Sequence, residues 1–264
     1  MFSFPIYASG LGVTLVAAAA TWVLSLRLHK VSIVDSLWSL LFIFAACTYA
    51  LAAGTSGSRA PLVLTLVTIW ALRLSIYITW RNKGHGEDAR YQAIRARNEP
   101  NFSVKSLYLV FGLQGVLAWI ISLPTLGAIL SQRPLTLLDA AGCALWLLGI
   151  AFEAGGDWQL ARFKADPSNR GRVMDRGFWR FTRHPNYFGD FCVWWGLYLI
   201  AAGGGAWWSF LGPVLMSVLL MRVSGVTLLE SDIAKRRPEY VDYIKRTNAF
   251  FPGPRKHRPG TEMT

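Results

Sequence analysis

Phe191–Gly204 reads FCVWWGLYLIAAGG, and the run before it, Arg180–Asp190, reads RFTRHPNYFGD. The first stretch has the apolar character of a buried or membrane helix. The second brings a histidine, an amide, a phenol and a carboxylate to its edge, behind Arg170, Arg172, Arg176, Arg180 and Arg183. Whether that helix lies in a soluble core or in lipid decides the fold. Composition favours lipid. The chain is 53% hydrophobic, 16% charged and holds 12 Trp in 264 residues, whereas soluble domains average about 45–50% apolar and about 25% charged.

Spanning a bilayer takes about 20 mostly apolar residues. Seven segments qualify as candidates: Tyr7–Leu26, Leu37–Ala53, Ala60–Trp80, Leu107–Leu130, Leu135–Phe152, Tyr187–Ala202 and Ala206–Leu229. Gly54-Thr55-Ser56-Gly57 and Gly203-Gly204-Gly205 read as tight turns. The first run lacks a small-residue cleavage site and reads as a retained helix, not a signal peptide.

Charge tests the count. With the amino terminus outside, the cytoplasmic loops and tail hold 23 of the 27 Lys and Arg, and the opposite loops hold Arg59 and Arg133. Arg73 and Arg222 fall inside helices. This asymmetry is what the positive-inside rule expects. The expected fold is therefore all-α and integral to the membrane, with seven transmembrane helices, the amino terminus outside and the carboxyl terminus cytoplasmic. Residues 1–254 form one domain and 255–264 a polar tail. Long cytoplasmic 3–4 (Arg81–Ser106) and 5–6 (Glu153–Asn186) loops exceed what topology requires. The net charge of +12 sets topology and meets anionic lipid heads. No soluble basic module remains for nucleic acid.

Ionisable groups inside spans are costly and usually face a cavity or a partner. Arg73, Tyr77 and Arg81 are spaced four apart, as are Glu153 and Asp157, and Asn186 and Asp190, so each set shares a helical face. Asp35 and Trp38 open the second segment. Arg73 and Arg222 also fit a snorkelling or bundle-locking role, and Asp35 an N-cap role. Polar groups from several segments converge near the same ends, which suits a ligand with phosphates or a carboxylate. The four histidines have no metal-like spacing, and the three cysteines (Cys47, Cys143, Cys192) read as small buried hydrophobes. Walker, Rossmann and G-x-S-x-G patterns are absent from the sequence.

GFWRFTRHPNYFGDFCVWWG (Gly177–Gly196) resembles the signature of the membrane steroid 5-alpha-reductase-like family, and R-H-P-N-Y-x-G-[DE] is shared more loosely with membrane sterol reductases and isoprenylcysteine carboxyl methyltransferases. LWSL after Asp35, WALRLSIYITWRNKGHGEDARYQAIR (Trp70–Arg95) and LLESDIAKRRPEYVDYIKRTNAFFPGP (Leu228–Pro254) resemble its bacterial uncharacterised branch. The resemblance runs from about Asp35 to Pro254. It implies a seven-helix bundle in the bacterial inner membrane that binds NADPH at its cytoplasmic end and reduces an enone in an apolar lipid (steroid, sterol, isoprenoid or acyl compound) entering from the bilayer. Arginine forks suit the phosphates of the dinucleotide, and the implied cofactor-side residues are Arg81, Arg90, Asp157, Arg172, Arg180, Arg183, His184, Asn186, Tyr187, Asp190, Glu230, Arg236, Tyr240 and Tyr243, with Glu153 as a further candidate. Asp35 takes roughly the place of the family's catalytic carboxylate, with Tyr77 as a second donor. Trp70 stands where the steroid reductases carry a carbonyl-binding tyrosine, which departs from a steroid-binding pattern. The alternatives are an S-adenosylmethionine-dependent methyltransferase acting on a lipid or prenyl carboxylate, and a non-enzymatic lipid-binding protein.

Overall fold

The computed structural model describes residues 2–54, 57–223 and 239–256. Among these residues all regular elements are helical, with one isolated bridge between Thr182 and Asn248. Five helices are long and apolar enough to cross a membrane: α1 (Phe4–Leu28), α2 (Val34–Ala53, entered through a 3-10 turn at Val31–Ile33), α3 (Arg59–Asn82), α5 (Phe102–Ile121) and α7 (Leu137–Ala165). Between them lie α4 (Ala89–Asn98) and α6 (Leu123–Ile129). The helices α8 (Pro185–Gly203), α9 (Trp207–Val223) and α10 (Glu239–Arg246) follow. The regular structure of the described residues is thus all helical, and these apolar helices mark a membrane-embedded protein.

Two apolar segments end elsewhere than the sequence reading placed them. The fourth apolar segment, expected as one span to Leu130, breaks at Ser122. Pro124 lacks an N–H and crowds the carbonyl four residues back, so a separate short helix starts at Leu123. The fifth was expected to end at Phe152 but runs on to Ala165. Glu153 and Asp157 therefore sit within a helix, and the connection to α8 shrinks to residues 166–184. Pro167 supplies the stop, because a residue before proline is pushed away from helical backbone. The 3–4 connection carries α4, which Asp88 caps by accepting from the Arg90 amide at 2.9 Å. Pro185 begins α8, two residues ahead of the apolar run that starts at Tyr187, and there its missing N–H costs no helical bond.

The chain divides into two compact units, Met1–Asp139 with Tyr198–Gly212, and Ala140–Leu197 with Pro213–Thr264. In the first, α2 packs on α1 and α3 around Leu41, Phe42, Val67 and Trp70. Small polar groups act as interhelical ties: Ser39 Oγ donates to Ala71 O (2.8 Å), Ser75 Oγ to Ser36 O (2.8 Å), and the Tyr49 and Ser122 hydroxyls share a bond of 2.8 Å. At the start of α3, Arg59 is wholly buried. It donates to both Asp139 oxygens (2.7 and 2.6 Å), to Arg133 O and Pro134 O (2.8 and 2.9 Å), and to Ser131 Oγ (3.3 Å). Asp139 also accepts from the Thr136 amide and hydroxyl. All five guanidinium N–H groups thus have an acceptor.

In the second unit α7 and α8 meet backbone to backbone. A Cβ on Gly149 would fall 2.6 Å from Gly189 O, one on Gly189 2.4 Å from Glu153 N, and one on Gly196 2.6 Å from Gly142 O. Gly142, Gly149 and Gly156 recur every seven residues on α7, as do Gly189 and Gly196 on α8. Such small-residue seams let membrane helices approach closely. Residues 247–256 return to the segment ahead of α8. Thr182 Oγ1 donates to Phe250 O (2.8 Å), the Gly253 amide to Phe181 O (3.0 Å), and Arg255 to the Asp175 carboxylate (2.8 Å). Phe188 and Phe191 make edge contacts with Phe250 and Phe251.

Candidate functional site

Each unit holds a polar cluster. In the first, Asp35 lies in the opening turn of α2, one turn earlier than the sequence reading started that helix. It is not the N-cap: Ile33 holds that position, with no side-chain cap bond. Instead its carboxylate accepts from the Tyr91 hydroxyl (2.5 Å) and from Arg90 Nη2 (2.8 Å), both on α4. Arg90 also binds Asp88 through Nε at 3.0 Å. Gln114 Nε2, from α5, donates to the Tyr91 hydroxyl at 3.4 Å, and the Gln114 carbonyl oxygen is buried with no hydrogen-bond partner among the described residues. Glu87 holds α4 against α2 by accepting from the Val31 and Ser32 amides (2.9 and 2.8 Å), which satisfies donors that a helix start leaves open.

Burial first, then the neighbouring Asp35 charge and their hydrogen bond, push the Tyr91 hydroxyl well above the usual phenol range. Tyr91 is therefore a protonated donor at neutral pH. Burial alone would raise Asp88, but hydrogen bonds from the Arg90 side chain and amide hold it below the usual carboxylate value. Tyr91 is the residue the sequence reading missed. Its signal was present: Tyr91 and Ile94, three apart, are the large apolar side chains of a helix otherwise made of Ala, Arg, Gln and Asn, ARYQAIRARN.

Trp70 is fully buried, edge-on to Phe42 at 5.5 Å. Tyr77 is half-buried, with the Arg81 guanidinium 5.9 Å from its ring centre. Arg81 itself is exposed.

In the second unit Glu153, Asp157, Arg183, His184 and Asp190 are all at least nine-tenths buried. Glu153 and Asp157 lie on α7, and Asn186 and Asp190 on α8. Asn186 Nδ2 donates to Asp157 Oδ1 at 3.4 Å. The His184 and Tyr187 rings are stacked 5.5 Å apart and nearly parallel, at 4°. The glycine seam accounts for the closeness of α7 and α8: Gly156 faces Pro185 and the Asn186 amide, and Gly189 faces Glu153. Three carboxylates and an amide thus gather where two helices touch, a set that can accept from hydroxyl, amide or ammonium donors.

Two residues expected to hold a cofactor also tie the second unit together. Arg183 donates through Nη1 to the carbonyls of Ile244 and Thr247, at the carboxyl end of α10, where a cation also meets the negative end of the helix dipole. The Tyr243 hydroxyl donates to Trp179 O, with Tyr240 edge-on beside it. Burial, then Tyr240, keeps the Tyr243 hydroxyl protonated well beyond the ordinary phenol range. Arg172 and Arg180 stand exposed on the segment before α8, and Arg222 is exposed in α9. Glu230 and Arg236 lie outside the described residues.

Residues 21–247 match the family described as protein of unknown function, DUF1295. The chain belongs to the DUF1295 family. It is also similar to an uncharacterized protein of Schizosaccharomyces pombe, 24% identical over 274 residues that cover 92% of this chain and 78% of the yeast protein. No solved structure matches it. The DUF1295 match takes in both polar clusters, from Asp35 through Asp190, together with α10.

Proposed function

We propose that this DUF1295 protein is an NADPH-dependent ene-reductase that acts on a carbonyl-conjugated double bond in an apolar lipid. The observation that carries the reading is the burial of Glu153, Asp157, His184 and Asp190 at the α7–α8 seam, beside the motif that resembles the steroid 5-alpha-reductase-like family. Buried ionisable groups are costly and so gather where a ligand or partner repays them. In this reading Asn186 and Asp190 receive the nicotinamide carboxamide, Asp157 a ribose hydroxyl, and His184 and Tyr187 form the adjoining wall. Arg172 and Arg180 take the phosphates, with Arg81 as a further candidate. The Tyr91 hydroxyl, oriented by Asp35, is the donor that supports the developing enolate oxygen. The same reading assigns seven crossings, adding α8 and α9 to the five long helices, with the amino terminus outside, the carboxyl terminus cytoplasmic and the bacterial inner membrane as the site.

One observation favours a second reading. The buried set of the second unit is rich in carboxylates, and its buried arginine is engaged with the carbonyls after α10. A carboxylate-rich pocket also suits the ammonium and ribose of S-adenosylmethionine, and so a lipid methyltransferase.

Thermal denaturation of the purified protein separates the two. A ligand at about 100 times its dissociation constant stabilises by roughly 2.7 kcal/mol. NADPH is expected to raise the melting temperature and S-adenosylmethionine to leave it unchanged, with Asp190→Ala abolishing the NADPH shift. A shift with S-adenosylmethionine alone establishes the methyltransferase reading instead. Turnover tests the other cluster. Asp35→Asn and Tyr91→Phe should each lower enone reduction by about 10²-fold or more, the range of a lost oxyanion donor, while the NADPH shift persists. Full activity in both variants removes the pair from the chemistry.

A further inference from the structure

Beside α4 lies a cavity of about 380 Å³ that the proposed reaction does not use. Its size falls in the range of about 300–1,000 Å³ typical of small-molecule sites. Its polar lining includes Ser25 and His29 from the end of α1, Arg95 on α4 and Glu99 just after it, Ser106 on α5, and Glu87. Tyr91 and Arg95 lie four residues apart on α4: Tyr91 reaches Asp35, whereas Arg95 and, one turn on, Glu99 line the cavity.

The chemistry of the lining is specific. Ser25 and Ser106 are buried, and each hydroxyl already donates, to Trp22 O (2.7 Å) and to Ser103 O (2.8 Å). Both therefore present only acceptor lone pairs. Glu87 is engaged with two amides and, at 3.4 Å, with Arg95. Glu99 is an exposed carboxylate whose side chain has no bond among the described residues. Arg95 and His29 supply donors: Arg95 uses one nitrogen on Glu87 and leaves other N–H groups available. The lining thus offers acceptors, for a cation with several N–H groups, together with donors, for an anion. The formal charges nearly cancel, which disfavours a purely anionic occupant. Outside the cavity, Leu24 and Leu28 on α1 and Val104 and Tyr108 on α5 are exposed. In a membrane protein those flanks lie against acyl chains.

We infer that this cavity binds a phosphoethanolamine zwitterion, its ammonium on Glu99 and the serine oxygens and its phosphate on Arg95 and His29. The exposed apolar flanks of α1 and α5 make a phosphatidylethanolamine headgroup its natural source. The site is independent of the reaction proposed above. The test is thermal denaturation of the purified protein in detergent with phosphatidylethanolamine, phosphatidylcholine and phosphatidylglycerol of matched acyl chains, and with water-soluble glycerophosphoethanolamine. Phosphatidylethanolamine should give a saturable rise in melting temperature at a concentration about tenfold or more below the other two lipids, since choline has no N–H to donate and glycerol no cation. Glu99→Gln, an exposed change that leaves the packing intact, should erase the preference. A comparable shift with glycerophosphoethanolamine supports the same site with a soluble occupant. Equal shifts with all three lipids, or a preference that survives Glu99→Gln, overturn the inference.

Discussion

Arg59→Ala should cost about 3–5 kcal/mol of stability, the loss expected when one partner of a buried ion pair is removed and the other charge stays buried. Asp139 would keep only its Thr136 bonds. The Arg133 and Pro134 carbonyls would lose a donor at the same time. The double replacement Arg59→Met with Asp139→Leu should recover most of the loss, because swapping a whole buried pair for apolar groups is often neutral. Denaturant or thermal unfolding in detergent measures both. A loss below about 1 kcal/mol for the single variant, the size of an exposed pair, would show that the clasp is solvated and dispensable.

The second large effect belongs to Gly189→Ala. The new methyl would meet Glu153 N at 2.4 Å, Gly149 O at 2.5 Å and Glu153 Cβ at 2.6 Å. None of these is the flexible end of a side chain, so α7 and α8 must separate. Overpacking of this kind costs about 1–3 kcal/mol and occasionally more. Asn186 and Asp190 flank Gly189 on α8, so the NADPH shift should disappear as well. Gly12→Ala on α1 is the control: nothing lies within 4 Å of its Cβ position, and alanine favours a helix by up to about 1 kcal/mol. If Gly189→Ala behaves like Gly12→Ala, backbone contact is not what holds α7 and α8 together.

Much of the membrane architecture was legible because hydropathy and charge report on solvent directly. The starts and ends of α1, α3 and α8 follow from apolar runs and from Pro185. The break at Ser122 was also written in the chain, at Pro124, but a hydropathy window averages over a single proline. The extension of α7 was hidden for the opposite reason: hydropathy ends the span at Phe152, although the four-residue spacing of Glu153 and Asp157 already put them on one helical face. Arg59 and Arg133 were counted as exceptions to the charge asymmetry, and for Arg59 that exception was the signal of a buried, partnered cation. The seven-residue spacing of glycines on α7 and α8 was readable but went unread, since no apolar pattern marks it. The placement of Asp35 was only half legible. Its helix was expected, but its partner Tyr91 lies 56 residues away, and nothing local links the two.

The Arg59 clasp also bears on how the chain is made. Arg59 leaves the ribosome 80 residues before Asp139. Until α7 begins to enter the bilayer, α3 carries an arginine whose carboxylate has not been synthesised. That cation must wait at the water-exposed surface, held by solvent or lipid phosphates. The order of synthesis therefore sets when the pair can close: not before Asp139 has been made.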